Sequence, residues 1–80
     1  MAQVHFGSGL QPHTGGVERI DLDVPRVREM LQELAERYPG IEVQLEQMAV
    51  AVDGQIYNDA PYQKLAPTSE VHFVPKIGGG

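Results

Sequence analysis

From Ala2 to Phe6 the chain alternates, with Val4 and Phe6 on one side and Gln3 and His5 on the other, the period of a half-buried strand. Gly7-Ser8-Gly9 ends it. The stretch from Gly7 to Gly16 carries four glycines and a proline and reads as a turn or loop. Val17, Ile20, Leu22 and Val24 follow as a second, less regular apolar set, so an opening hairpin is expected. Next, Val24, Val27, Met30, Leu31, Leu34, Ala35 and Tyr38 recur at three- and four-residue spacing. That spacing predicts one amphipathic helix, with Asp23 as N-cap and Pro25 in the first turn. Pro39-Gly40 stops it, because proline cannot continue the ladder and glycine accepts the left-handed conformation that closes helices.

Beyond the helix, Ile41, Val43 and Leu45 alternate with Glu42, Gln44 and Glu46, and Ala49 to Val52 form a more apolar run ending at Asp53-Gly54. The alternation predicts a strand, and the Asp-Gly dipeptide a tight hairpin with a short return strand over 55–57. Residues 58–69 contain two prolines and no sustained period, which predicts an irregular crossing, and 70–74 are the last strand. Strands, one helix, more strands and a final apolar strand make the order of a β-grasp: an α+β fold with a mixed sheet packed on one main helix. The expected organisation is a β-grasp domain over 1–76 and a flexible glycine tail over 77–80.

Length and charge narrow the function. Eighty residues make a single domain. A net charge of -5, from 6 Lys+Arg against 11 Asp+Glu, leaves no basic footprint for a phosphate backbone, so no nucleic acid partner is expected. The longest apolar run, Met48 to Val52, is far short of the roughly 20 residues that cross a bilayer. No signal pattern opens the chain, so no membrane partner and a cytoplasmic location are expected. There is no cysteine, hence no disulfide, thiolate metal site or side-chain thiol nucleophile.

The chemistry-bearing feature is the end of the sequence. Gly78-Gly79-Gly80 follow Pro75-Lys76-Ile77, and an arm without Cβ atoms threads a narrow channel that branched side chains would block. Such an arm can place a terminal carboxylate against a nucleotide phosphate.

On these residues the chain resembles the MoaD/ThiS family of small sulfur-carrier proteins, relatives of ubiquitin. Leu34-Ala35-Glu36-Arg37-Tyr38-Pro39-Gly40 is similar to the family's first helix and Val50-Ala51-Val52-Asp53-Gly54-Gln55 to its central hairpin, where Asn-Gly is more usual. Leu65 followed by Ser69-Glu70-Val71 resembles the approach to the final strand, with Thr68-Ser69 where the family usually has Gly-Asp. Phe73-Val74-Pro75-Lys76-Ile77-Gly78-Gly79-Gly80 is similar to the family's strand and diglycine ending. Pro75-Lys76 replaces the Pro-Pro usual in the molybdopterin branch, and the triple glycine resembles the thiamine branch; the long helix and the loop from Gly7 to Gly16 lean to the former.

The resemblance implies a carrier and not an enzyme. Gly80, with Gly79 before it, would be adenylated by an E1-like adenylyltransferase of the MoeB/ThiF type, which uses ATP. A sulfur donor would convert the acyl-adenylate to a thiocarboxylate for an acceptor synthase in thiamine or molybdopterin-type cofactor biosynthesis. A mixed anhydride with AMP reacts where a free carboxylate resists nucleophiles. The same activation would serve a ubiquitin-like modifier joined through Gly80 to a lysine amine of a target protein, with Lys64 and Lys76 as acceptors within the chain. His72-Phe73-Val74-Pro75 also resembles the ending of phage tail-assembly β-grasp modules, which have no tail chemistry.

Strand alternation proposes a partner face. If Val4, Phe6, Val71 and Phe73 point at the helix, then His5, His72 and Val74 point away, and adjacent first and last strands would make His5 and His72 neighbours. Val74 with Pro75, Lys76 and Ile77 would form a docking patch before the tail. His5, His13 and His72 offer three imidazoles, but no carboxylate or cysteine pair stands out at ligand spacing beside them, so neither a metal site nor a bound cofactor is expected. Tyr57 and Tyr62 are expected to pin the crossing to the core.

Overall fold

The alternating start of the chain forms strand β1 (Ala2–His5), which pairs antiparallel with β2 (Arg19–Leu22), Val4 lying opposite Ile20. This computed structural model describes residues 1–58 and 61–76. Between the strands, part of the glycine-rich stretch is helical, a departure from the expected loop: α1 spans Gln11–Thr14. Leu10 is fully buried at its start, and the Thr14 hydroxyl donates to the Val17 carbonyl at 2.8 Å. One buried leucine and one satisfied hydroxyl therefore order a segment that its glycines alone would leave open.

The main helix, α2, spans Val27–Arg37. It buries Val27, Met30 and Leu34, the spacing of one helix face. Its N-terminus differs from expectation, because Arg26 and not Asp23 occupies the cap position and no side chain caps the helix. The crossing segment does so instead. Val27 N–H donates to the Gln63 carbonyl at 2.9 Å and Arg28 N–H to the Pro61 carbonyl at 2.8 Å, while Leu65 N–H donates to the Pro25 carbonyl. Backbone carbonyls from distant residues thus satisfy first-turn N–H groups of the helix, which starts later than expected and has no side-chain cap. Tyr38 closes the helix, and Gly40 turns the chain at φ 98°.

Residues Ile41–Leu45, expected as a strand, form the short helix α3. Ile41 and Leu45, four apart, are buried, whereas Val43 is 55% exposed. A strand would have placed all three on one face. Strand β3 (Met48–Val52) then turns through Asp53 (φ 49°) and Gly54 (φ 88°) into β4 (Gln55–Tyr57). Two consecutive positive φ values are what a tight primed hairpin turn requires. The crossing leads to β5 (Glu70–Pro75), one residue longer than expected. Tyr57 packs against the core as expected, but Tyr62 is 72% exposed and does not pin the crossing.

The sheet order is β2-β1-β5-β3-β4. Strand β5 is central, parallel to β1 and antiparallel to β3, which makes the sheet mixed. One face carries Val4, Val50, Val52, Val71 and Phe73 into the core with Met30 and Leu34 of α2, Ile41 of α3 and Phe6. Phe6 stacks on Phe73 at 6.5 Å and meets Tyr38 edge-on at 5.7 Å. This is the expected β-grasp. Among the described residues, no helix is long and apolar enough to cross a membrane.

Candidate functional site

Alternation along the two middle strands decides what the sheet's open face displays. Buried Val4 on β1 and buried Val71 and Phe73 on β5 turn His5, Glu70, His72 and Val74 to the opposite side. Register brings the histidines together: His5 is the Cα partner of His72 across the parallel ladder. Their rings stack with centroids 4.3 Å apart and planes within 3°, so the neighbourhood expected of His5 and His72 is present. His5 is partly covered and His72 is exposed.

Beside them lies a group that sequence reasoning passed over. Glu70 Oε1 is 3.3 Å from His5 Nε2. The signal was legible, since Glu70 and His72 are two apart on one strand and therefore share a face. Three potential ligand atoms, one each from His5, Glu70 and His72, lie within 4.8 Å of one another.

The start of β5 is held firmly. Glu70 N–H donates to Asp53 Oδ1 at 2.9 Å and Asp53 N–H to the Glu70 carbonyl at 3.0 Å, which clips the hairpin turn to the strand. Ser69, buried just before it, accepts the Ala66 N–H on its hydroxyl at 2.8 Å, and its carbonyl accepts from Gln3 N–H. Further along, Val74 is half-buried opposite Ala49, and Pro75 and Lys76 are exposed. Lys76 also borders a cavity of about 220 Å³ with Leu31, Leu45, Met48 and Tyr57. Of the residues expected at the working end, Ile77, Gly79 and Gly80 lie outside the described residues. His13 is exposed on α1 and is not part of the cluster.

Among solved structures, the chain is similar to one in the Amycolatopsis orientalis BexX/CysO complex, with TM-score 0.84, 19% identity and 100% of each chain covered. It is likewise similar to Mycobacterium tuberculosis CysO, described as an antigen, with TM-score 0.82, 18% identity, and 96% of this chain and 100% of that one covered. Small archaeal modifier protein 1 from Methanosarcina acetivorans matches with TM-score 0.75 at 16% identity, covering 99% and 95% of the two chains. At these identities the likeness concerns the fold. A sequence search among curated proteins finds no match. The family model described as "ThiS family" matches residues 5–80, nearly the whole sequence and the glycine ending with it, and the chain therefore belongs to the ThiS family of ubiquitin-like β-grasp proteins.

Proposed function

We propose that this protein is a sulfur carrier whose working group is the carboxylate of Gly80. The observation that carries the reading is the family match, which runs through residue 80 and includes the three glycines. In the proposed cycle a carboxylate oxygen attacks the α-phosphorus of ATP on an E1-like adenylyltransferase of the MoeB/ThiF type, and pyrophosphate leaves. Hydrosulfide released by the donor then attacks the acyl carbon, AMP leaves with the bonding pair, the proton is lost to solvent, and a thiocarboxylate results. The chain contributes no catalytic side chain in this scheme. It delivers its end to the partner's active site and hands its sulfur to an acceptor synthase of cofactor biosynthesis.

The fold supports that division of labour. Strand β5 runs toward the glycines from the middle of the sheet, held by β1 along its first half and by β3 as far as Pro75. In this reading residues 77–80 are an arm, and His5, His72, Val74, Lys76 and Ile77 form the face that meets the activating enzyme. The acidic balance of the chain suits a partner with a basic groove.

Intact-mass measurement after incubation with a MoeB/ThiF-type enzyme, ATP and a sulfur donor tests the proposal. Conversion of a terminal carboxylate to a thiocarboxylate adds about 16 Da. Deleting Gly80 should abolish that gain and ATP-dependent adenylation while leaving the melting temperature unchanged, because the core is built from residues 2–73. Adenylation of the shortened chain at the full rate would refute the reading.

The likeness to a small archaeal modifier protein favours one second reading. Here the activated Gly80 forms an amide with a lysine of another protein. A higher-mass conjugate in place of the sulfur-for-oxygen increment would select it, and the exposed Lys64 and Lys76 are acceptors to examine for self-conjugation.

A further inference from the structure

Three observations converge on the open face at the junction of β1 and β5. First, His5 and His72 occupy facing positions of one ladder, so the backbone spacing of their imidazoles is fixed by hydrogen bonding and not by loop conformation. Second, the Glu70 carboxylate projects from the same face two residues before His72, with Oε1 3.3 Å from His5 Nε2. Third, His5 Nε2 is enclosed and makes no hydrogen bond, the carboxylate's approach notwithstanding. A buried nitrogen without a partner is costly, and native proteins seldom leave one so.

We propose that His5, His72 and Glu70 bind a single divalent cation of the zinc class on the open face of the sheet. Two imidazoles and a carboxylate are a donor set that suits zinc and its first-row neighbours and disfavours calcium or magnesium, which take oxygen ligands. The ligand atoms, mutually within 4.8 Å, need to close only to about 3.3 Å, the separation that zinc-ligand bond lengths impose at a tetrahedral ion. Side-chain rotation supplies this, because Glu70 is 59% exposed at its side chain and His72 is exposed. Three protein ligands leave a fourth position for water or a partner's side chain. Arg19, the register partner of His5 on β2, lines the same surface depression as His5, and its positive charge opposes the ion.

The site shares His5 and His72 with the face proposed to meet the activating enzyme, but its test needs no tail chemistry. Zinc is titrated into the full-length chain without an affinity tag, followed by calorimetry and by the histidine ring signals in NMR. One equivalent should bind, shifting the rings of His5 and His72 and leaving those of His13 in place. Loss of a direct ligand should cost at least as much as loss of an outer partner, so His72→Asn and Glu70→Gln should each weaken binding about tenfold or more. Both positions are exposed, so these variants should fold; His13→Ala should bind as the parent does, and Arg19→Gln should bind more tightly. No saturable binding below about 1 mM zinc, which is hardly any affinity, would overturn the proposal. So would parent-like affinity in His72→Asn.

Discussion

Ile41-Glu42-Val43-Gln44-Leu45 and Glu70-Val71-His72-Phe73 both alternate apolar and polar residues, yet the first is a helix and the second lies in the central strand. The difference turns on one residue in each. Positions i and i+4 share a face at either period, so burial of Ile41 and Leu45 fits a helix or a strand. Only i+2 discriminates: in a helix it lies about 200° round the axis from i, on the far side. Val43, 55% exposed, is that residue, whereas Val71 and Phe73, also two apart, are both buried. What selects the helix is its surroundings. Gly40 turns the chain back immediately after α2, its N–H donates to Glu42 Oε2 at 3.0 Å, and Ile41 N–H donates to the Tyr38 carbonyl. The 70–74 segment instead has a strand on each side to pair with.

Substitutions along 40–43 can break that comparison. The largest expected effect is that of Ile41→Ala: the side chain is fully buried, and its truncation should cost about 2–5 kcal/mol in urea denaturation. A loss as small as that of a surface change would mean Ile41 is not in the core. Gly40→Ala should cost less, about 1–2 kcal/mol, because a left-handed φ strains any residue with a Cβ. The position has open space around it, so the penalty is backbone strain and not a clash; an unchanged denaturation midpoint would contradict the turn. Smallest and sharpest is Val43→Gln, expected to change stability by less than about 0.5 kcal/mol, as at other exposed sites. If 41–45 were a strand with Val43 inward, this change would be among the most damaging in the segment.

The same logic explains how much was legible in the sequence. In β1, α2 and β5 the element and its buried face are readable from the pattern, whereas 41–45 alternates for as long as β1 and is a helix, so pattern length alone does not decide. The pairing of His5 with His72 was readable too, since it needed only alternation and adjacency. Two of the exceptions, the cap of α2 and the ordering of α1, depend on contacts from far along the chain. Pro61 and Gln63 cap α2, which nothing near Asp23 reveals. Leu10 and Thr14 order α1 only because a core exists for them to meet. Glu70 is hidden for a different reason: the site combines a position on β1 with two on β5, so spacing among sequence neighbours does not show it.

The first and last strands of this molecule are parallel neighbours, and β5 is bonded along both edges. A pull that separates the start of β1 from the end of β5 acts along the strands, so it loads the bonds of the ladder together instead of opening them one by one as a zipper would. The same arrangement resists tension on the chain beyond Lys76. A protein extracted or threaded by that end should therefore yield late and all at once, with the far hairpin of β3 and β4 acting as a brace.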